Sequence, residues 1–307
     1  MDFDAFTKDI VDNGWNVHGV EVYKDGSLVH SFGDTTEGVY DLYSITKSVL
    51  SAAVGIAYDE GLIDLSRCIL DYLPKENVKK MTDENRADFE KISVERLMTM
   101  SVEGLPFRPE GENWLDFSLA CKIDNPDERN FNYSNVSAFL VGVALTEAIG
   151  QDLGAFIEKR LFAPLGIDKF EYTRSPEGYF YGASGMKLTV SELSKLGLLF
   201  YNGGVVRSKD VAGNEIGRYH DAAGNELVTR ILSEEYVKMA TSVRQMNREG
   251  GYGLFIWKYR SGFSFNGKWK QKCYILPDEG IMVSYLCDIQ DDSHVLLESM
   301  EKHVLGI

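Results

Sequence analysis

The chain has no apolar run of signal-peptide length near its start, where Asp2, Asp4 and Asp9 fall among the first residues. No later stretch reaches the roughly 18 uninterrupted apolar residues that a membrane helix requires, so a soluble protein without a membrane partner is expected. Cysteine is sparse. Cys68, Cys121, Cys273 and Cys287 are scattered, without CxxC spacing or a histidine-rich neighbourhood, and read as buried thiols rather than disulfides or a zinc site. The cytoplasm is then the expected compartment. Basic residues are outnumbered, 32 Lys and Arg against 47 Asp and Glu, and the net charge of -15 argues against a nucleic-acid partner. There are only five histidines, His18, His30, His220, His294 and His303. None sits in a Gly-x-Ser-x-Gly setting, and none forms an HxxxH pair. No metal site and no cofactor is expected.

What is present suffices for a large core: 307 residues, 44% apolar and 12% aromatic. Residues 17–32 place two β-branched runs around Asp25-Gly26, a strong hairpin signal. From Ser44 to Glu60, Ile45, Val49, Ala52, Ala53 and Ile56 recur at helical spacing. Leu50, Val54 and Ala57 widen the apolar face, so this helix is expected to be buried on most sides. Helices are also expected from Ser93, over Ser134–Ile149 and over Leu153–Leu165. Thr189-Val-Ser-Glu192 reads as a capping box opening another through Tyr201. Residues 206–229 hold a near-repeat, Asp210–Ile216 and Asp221–Leu227, read as a surface hairpin. Three strands are expected at Leu254–Tyr259, Gln271–Leu276 and Gly280–Cys287, and a closing amphipathic helix over Ser293–Val304. Strands at both ends and helices between them predict an α/β (α+β) protein. Residues 1–60 and 186–307 would build a sheet lobe, 61–185 a helical lobe, with the site between them.

A serine hydroxyl is a poor nucleophile until a base removes its proton. With histidine unpromising, lysine is the alternative, and Ser-x-x-Lys on a helix puts both side chains on one face. Three pairs fit: Ser44/Lys47, Ser184/Lys187 and Ser299/Lys302. Ser299 falls on the polar side of the final helix, where solvation of both groups is expected. Ser184 stands between Gly182 and Gly185, ahead of the next helix. Ser44 alone opens a strongly apolar helix directly after a loop. There the first peptide dipoles favour negative charge on a substrate oxygen. Burial would disfavour the charged form of Lys47; with an ordinary pKa near 10.4, only about one lysine in 2,500 is neutral at pH 7. The competing reading makes Ser44 a cap and Lys47 a snorkelling surface residue. A second junction, Asn132-Tyr133-Ser134-Asn135, precedes another apolar helix. A tyrosine near an ammonium can ionise partly and shuttle a proton, and an asparagine two residues on can bond both a substrate carbonyl and a lysine.

Ser44-Ile-Thr-Lys47 followed by Tyr133-Ser-Asn135 resembles the penicillin-recognising serine hydrolases, known by their Ser-x-x-Lys signature. The class C β-lactamase and esterase group, with its 6-aminohexanoate-oligomer hydrolase branch, is the most similar. The likeness extends to His18–Gly26, to Asp59–Leu65 with Tyr72–Pro74, and to Ile92–Ser101 with Gly104-Leu105. It continues through Phe162–Ile167, Gly251–Gly253 and Leu276-Pro277. It implies a β-lactamase/transpeptidase-like fold, an antiparallel sheet flanked by helices, and hydrolysis of an ester or amide through an acyl-enzyme. Ser44, Lys47 and Tyr133 would be catalytic and Asn135 would orient the substrate. The family's third motif is often Lys-Thr-Gly or His-Thr-Gly. Its counterpart here is Phe265-Asn266-Gly267, followed by Lys268-Trp-Lys270-Gln271, so the cation that meets a substrate carboxylate is missing at the first position. Asn266, Gly267 and Lys268 are the substrate-binding candidates, the amide after Gly267 a second oxyanion donor. Trp114 either walls an acyl pocket or packs in the core; Tyr252 and Trp257 read as structural. A small-molecule ester or amide is the expected partner, from a carboxylesterase or small-amide hydrolase. A true β-lactamase, a D-amino-acid peptidase, or a non-catalytic ligand-binding relative are the alternatives.

Overall fold

A computed structural model describes residues 1–207, 228–291 and 293–307. Strands β1 (Val17–Lys24) and β2 (Ser27–Gly33) form the expected hairpin. Asp25 and Gly26 take φ of 50° and 79°, the pair of left-handed conformations a two-residue turn of this hand demands. Four strands follow near the C-terminus: β3 (Trp257–Tyr259), β4 (Gly262–Asn266), β5 (Lys272–Leu276) and β6 (Ile281–Cys287). All pair antiparallel in the order β2-β1-β6-β5-β4-β3. The expectation of three strands here is therefore corrected to four. Phe255, at φ 60°, is not in a strand, which shortens the first; Arg260, at φ 47°, turns the chain into β4 without the Gly or Asn that usually marks such a reversal.

Helices pack against both faces of the sheet. Helix α1 (Phe3–Asp12) is capped by the Asp2 carboxylate, which accepts from the Ala5 amide at 3.0 Å. It buries Phe3, Phe6 and Ile10 against Val20, Val22, Val283 and Tyr285. The opposite face belongs to the main core, with α2 (Thr46–Asp59), α3 (Asn135–Ile149) and α4 (Val190–Tyr201), whose Thr189–Glu192 capping box is formed. Residues Thr46–Ala57 of α2 are all buried, as the wide apolar face requires. Helix α5 (Val295–Met300) packs with α1 on the outer face.

That outer packing corrects the reading of Ser299. Rather than facing water, it is buried and donates to Asp9 of α1 at 2.8 Å; the covering helix went unrecognised in the sequence. Between α2 and α3 the chain is mostly short helices, including Val94–Met98 and Trp114–Ala120. The segment from Leu153 to Leu165 is helical throughout, with a wider turn at Glu158–Phe162. The near-repeats at 210–216 and 221–227 lie outside the described residues, between two short strands that pair antiparallel, Val205–Arg207 and Val228–Arg230. Among the described residues no single helix is long and apolar enough to cross a membrane; α3 with Leu153–Leu165 passes by length and composition only as a pair bent by 78°.

Candidate active site

The loop before α2 is held by local constraints. Tyr43 takes φ 47°, a left-handed conformation that is costly for a bulky residue, and Tyr43–Ile45 form a 3-10 turn ahead of the helix. Ser44 thus lies within this turn, two residues before the helix proper begins at Thr46. Thr46 fixes the turn: its hydroxyl donates to the Tyr43 carbonyl at 2.7 Å and accepts from the Met186 amide at 3.2 Å. The Leu42 amide in turn donates to the Met186 carbonyl at 2.9 Å.

Lys47 follows one turn later and is 1% exposed. Its Nζ donates to Asn135 Oδ1 at 2.6 Å and to the Ala183 carbonyl at 2.8 Å, and lies 3.3 Å from Ser44 Oγ. No carboxylate pairs with it among the described residues. Burial alone draws its pKa down from 10.5 to about 7. A neutral amine keeps two N–H groups for the two fixed acceptors and turns its lone pair to Ser44, so the third contact is the one that changes direction with the proton.

Tyr133 enters from the second junction. Ser134 caps α3, its hydroxyl accepting from the Val136 and Ser137 amides and donating to the Pro106 carbonyl at 2.6 Å. Asn132 donates to the Val102 and Leu105 carbonyls, both at 2.9 Å, and the Asn135 amide reaches the Phe107 carbonyl at 2.7 Å. The buried guanidinium of Arg96 ties the preceding loop down, bonding the carbonyls of Lys91, Ser101, Pro126 and Glu128. So positioned, the Tyr133 hydroxyl approaches Ser44 without a well-formed hydrogen bond, and its ring lies 4.9 Å from Lys47 Nζ. Burial pushes the phenol up to about 12, against a smaller lowering by Ser44. The partial ionisation expected of a tyrosine beside an ammonium is corrected accordingly: enclosure disfavours phenolate, and the amine beside it is itself drawn towards neutrality.

The site is therefore an alcohol, an amine of near-neutral pKa and a protonated phenol in mutual contact, with Asn135 fixing the amine. Such a set can deprotonate an oxygen nucleophile and supply a proton on its other side. The Beta-lactamase family model matches residues 7–298. This chain belongs to that family. The solved structures it resembles include a candidate 6-aminohexanoate-dimer hydrolase from Bacillus anthracis, at 18% identity and TM-score 0.74, covering 98% of this chain and 80% of that one. A candidate β-lactamase from Bacteroides dorei matches at 17% and 0.73, over 99% and 98% of the two chains. An octameric penicillin-binding protein homologue from Pyrococcus abyssi matches at 19% and 0.67, over 100% and 78%. No curated protein matches. Members of the Beta-lactamase family are serine hydrolases, and the fold of this chain is theirs.

In this family member the remaining candidates scatter around the four central groups. Gly267 abuts the serine loop so closely that a Cβ would sit 2.3 Å from the Leu42 carbonyl oxygen. Trp269, two residues on, meets Tyr43 edge-on at 5.0 Å. Gln271 locks this turn, its side chain accepting from the Cys287 amide at 2.9 Å and donating to the Trp269 carbonyl at 3.2 Å. Asn266 ends β4 with its Oδ1 buried and unpartnered among the described residues. The exposed Lys268 lies over the Trp269 ring, 4.7 Å from its centre. Trp114 meets Tyr181 at 4.9 Å and Phe139 at 5.8 Å. Tyr181 in turn stands near Asn135.

Three contributors went unrecognised in the sequence. The Ala183 carbonyl has no side-chain signature, although the glycines around it mark an unusual backbone. Trp257 and Tyr252, read as structural, touch the site directly: Trp257 stacks on Tyr133 at 5.5 Å and Tyr252 meets it edge-on at 6.3 Å. Aromatic residues separated by more than a hundred positions from Tyr133 carry no sequence signal of that contact.

Proposed function

We propose that the protein hydrolyses ester or small amide bonds through an acyl-enzyme on Ser44. One observation carries the reading: a lysine enclosed without a counter-ion among the described residues, its amine 3.3 Å from a serine oxygen. Lys47, as the neutral amine, takes the Ser44 proton while Oγ bonds to the substrate carbonyl carbon. Collapse of the tetrahedral adduct expels the alcohol or amine, which takes a proton from Tyr133; the ammonium of Lys47 restores the phenol, so the serine proton ends on the leaving group. Water repeats the sequence in reverse, with Lys47 as base because the Tyr133 pKa is too high for that task. The acid is released and Ser44 regenerated. Asn135 holds the amine in register with Oγ.

Esters and small amides are favoured over β-lactams because the first position of the third motif is Phe265. Its ring is fully buried against Phe200, 5.3 Å between centres, and offers no cation to a substrate carboxylate. The test is a panel of p-nitrophenyl esters, D-amino-acid amides and nitrocefin, with Ser44→Ala as control and a fluorophosphonate to trap the nucleophile. Wild type should hydrolyse short esters and gain the mass of one phosphonyl group; Ser44→Ala should do neither. Ester turnover by Ser44→Ala at the wild-type rate would refute the nucleophile. Rapid turnover of nitrocefin alone would refute the substrate preference.

A further inference from the structure

The outer face of the sheet is not completely covered. α1 and α5 close over β1, β6 and part of β5, but beside them a cavity of about 570 Å³ opens over β3, β4 and β5, closed on its far side by the start of α5. That volume lies within the range of small-molecule sites. Strand alternation explains its lining. Phe263, Phe265, Cys273 and Ile275 belong to the main core, so Ser264, Asn266, Lys272 and Tyr274 face the opposite way.

In a chain with net charge -15, this cavity gathers Lys258, Lys270 and Lys272. Among the described residues none of the three makes an ion pair. Glu249 is the one carboxylate among the described lining residues; it is exposed and beyond pairing distance. Lys258 donates to the Ser261 carbonyl at 3.1 Å. Lys272 has no hydrogen bond of its own side chain, only the face of Tyr274 at 5.8 Å. Lys270 stands on a turn where both it and Trp269 adopt left-handed φ, 69° and 57°, a costly arrangement for two non-glycine residues in succession. Burial draws the Lys272 pKa down to about 8; Glu249 opposes this, and Lys270 adds a smaller lowering. Lys270 and Lys272 thus stand close together, and among the described residues neither is paired with a carboxylate at contact distance.

Polar atoms in the recess also lack partners. Tyr274 is 1% exposed, and its hydroxyl approaches that of Tyr285 without a well-formed hydrogen bond; Asn266 Oδ1 has none. Ile289, Leu296 and Leu297 make the other wall apolar. We propose that this cavity binds a small organic carboxylate with an apolar body, the carboxylate bridging Lys270 and Lys272 and the body lying against Leu296 and Leu297. Ser44, Lys47, Tyr133 and Asn135 are not in its lining, although Asn266 and Gly267 are, and the proposal does not depend on the chemistry proposed for Ser44.

The test is calorimetric titration of the Ser44→Ala protein with benzoate, with benzylamine and inorganic phosphate as comparisons. Benzoate should bind one to one; benzylamine, of the same shape and opposite charge, should not, and phosphate should bind at least tenfold more weakly. Lys272→Met should weaken benzoate at least tenfold, and binding should persist in Lys47→Met and Tyr133→Phe. Lys270→Met, on the surface turn, reads the same bridge if Lys272→Met does not fold, with an expected loss of three- to tenfold. No saturable benzoate binding, or affinity untouched by the lysine variants, would overturn the proposal. So would loss of binding in Lys47→Met, which would put the anion in the catalytic cleft, or phosphate binding as tightly as benzoate, which would leave the apolar wall without a role.

Discussion

The two junctions that deliver Ser44 and Tyr133 are built on opposite plans. Before α3, the turn is satisfied almost everywhere: Ser134 caps two amides, Asn132 and Asn135 bond the 102–107 segment, and Arg96 gathers four carbonyls. Before α2, by contrast, Tyr43 is left-handed, and among the described residues no side chain caps the helix and no carboxylate pairs with the buried lysine. One junction spends its residues on stability and holds a phenol still. The other keeps an unfavourable group in place, the one that the proposed mechanism uses as the base. Rigid surroundings on the Tyr133 side make it possible to hold an ill-suited amine on the Ser44 side, since Asn135, at the start of α3, accepts from Lys47 at 2.6 Å.

Replacing Lys47 tests the difference most severely. Lys47→Met should lower kcat/KM by roughly 10³-fold or more, at the upper end of what removing a positioned base costs, while the protein stays folded. In wild type, log kcat/KM should rise with unit slope below about pH 7 and level off above it, as the amine loses its proton; with the Tyr133 pKa at about 12, no fall is expected below pH 10. Stability should show the same group with its own sign. The folded-state pKa is depressed from 10.5 to about 7, so across that window the unfolded chain binds more protons and stability rises with pH. Denaturant unfolding at pH 7 and pH 9.5 should show this slope in wild type and a smaller one in Lys47→Met, where Lys272, drawn down to about 8, still contributes. A flat wild-type profile would mean that the lysine is charged in the folded protein.

Arg96 is the complementary break. Arg96→Met leaves four carbonyls around the Tyr133 loop without their donor, and stability should fall by about 2–4 kcal/mol, since each buried group left unsatisfied costs of order 1 kcal/mol or more. Because Arg96 acts through the loop and not on the substrate, kcat should fall about tenfold with KM little changed, and the pH inflection near 7 should stay where it is. An inflection that moved with the substitution would place Arg96 in the electrostatics of the amine instead.

How much of this was legible in the sequence follows the same divide. Ser44 and Lys47 are close because a helix brings i and i+3 together, and Asn135 follows Tyr133 on a second helix start; both are local facts that spacing records. The hairpin at Asp25-Gly26 and the capping box at Thr189–Glu192 are local in the same way. Helix α1 was legible but unread: Asp2 with Phe3, Phe6 and Ile10 is a cap and an apolar stripe, obscured by the acids between them. The Ala183 carbonyl, the Trp257 ring over Tyr133 and the lysine cavity depend on long-range packing, and no spacing rule encodes them. Strand β4 escaped for a further reason, since the turn before it uses Arg260 in a conformation that sequence rules reserve for glycine or asparagine.

The gentlest change sharpens the comparison. Ser134→Ala removes one capping oxygen from α3, a loss worth about 0.5–2 kcal/mol, and frees the Pro106 carbonyl that the hydroxyl bonds at 2.6 Å. If the Tyr133 junction is held redundantly, as its other bonds imply, the melting temperature should fall by a few degrees and kcat by less than about threefold. A loss as large as that of Arg96→Met would mean that the cap alone sets the phenol, and the division of labour between the two junctions would rest on one hydroxyl. Differential scanning calorimetry beside ester kinetics on the same preparation separates the two outcomes, because stability and turnover are then read from one folded population.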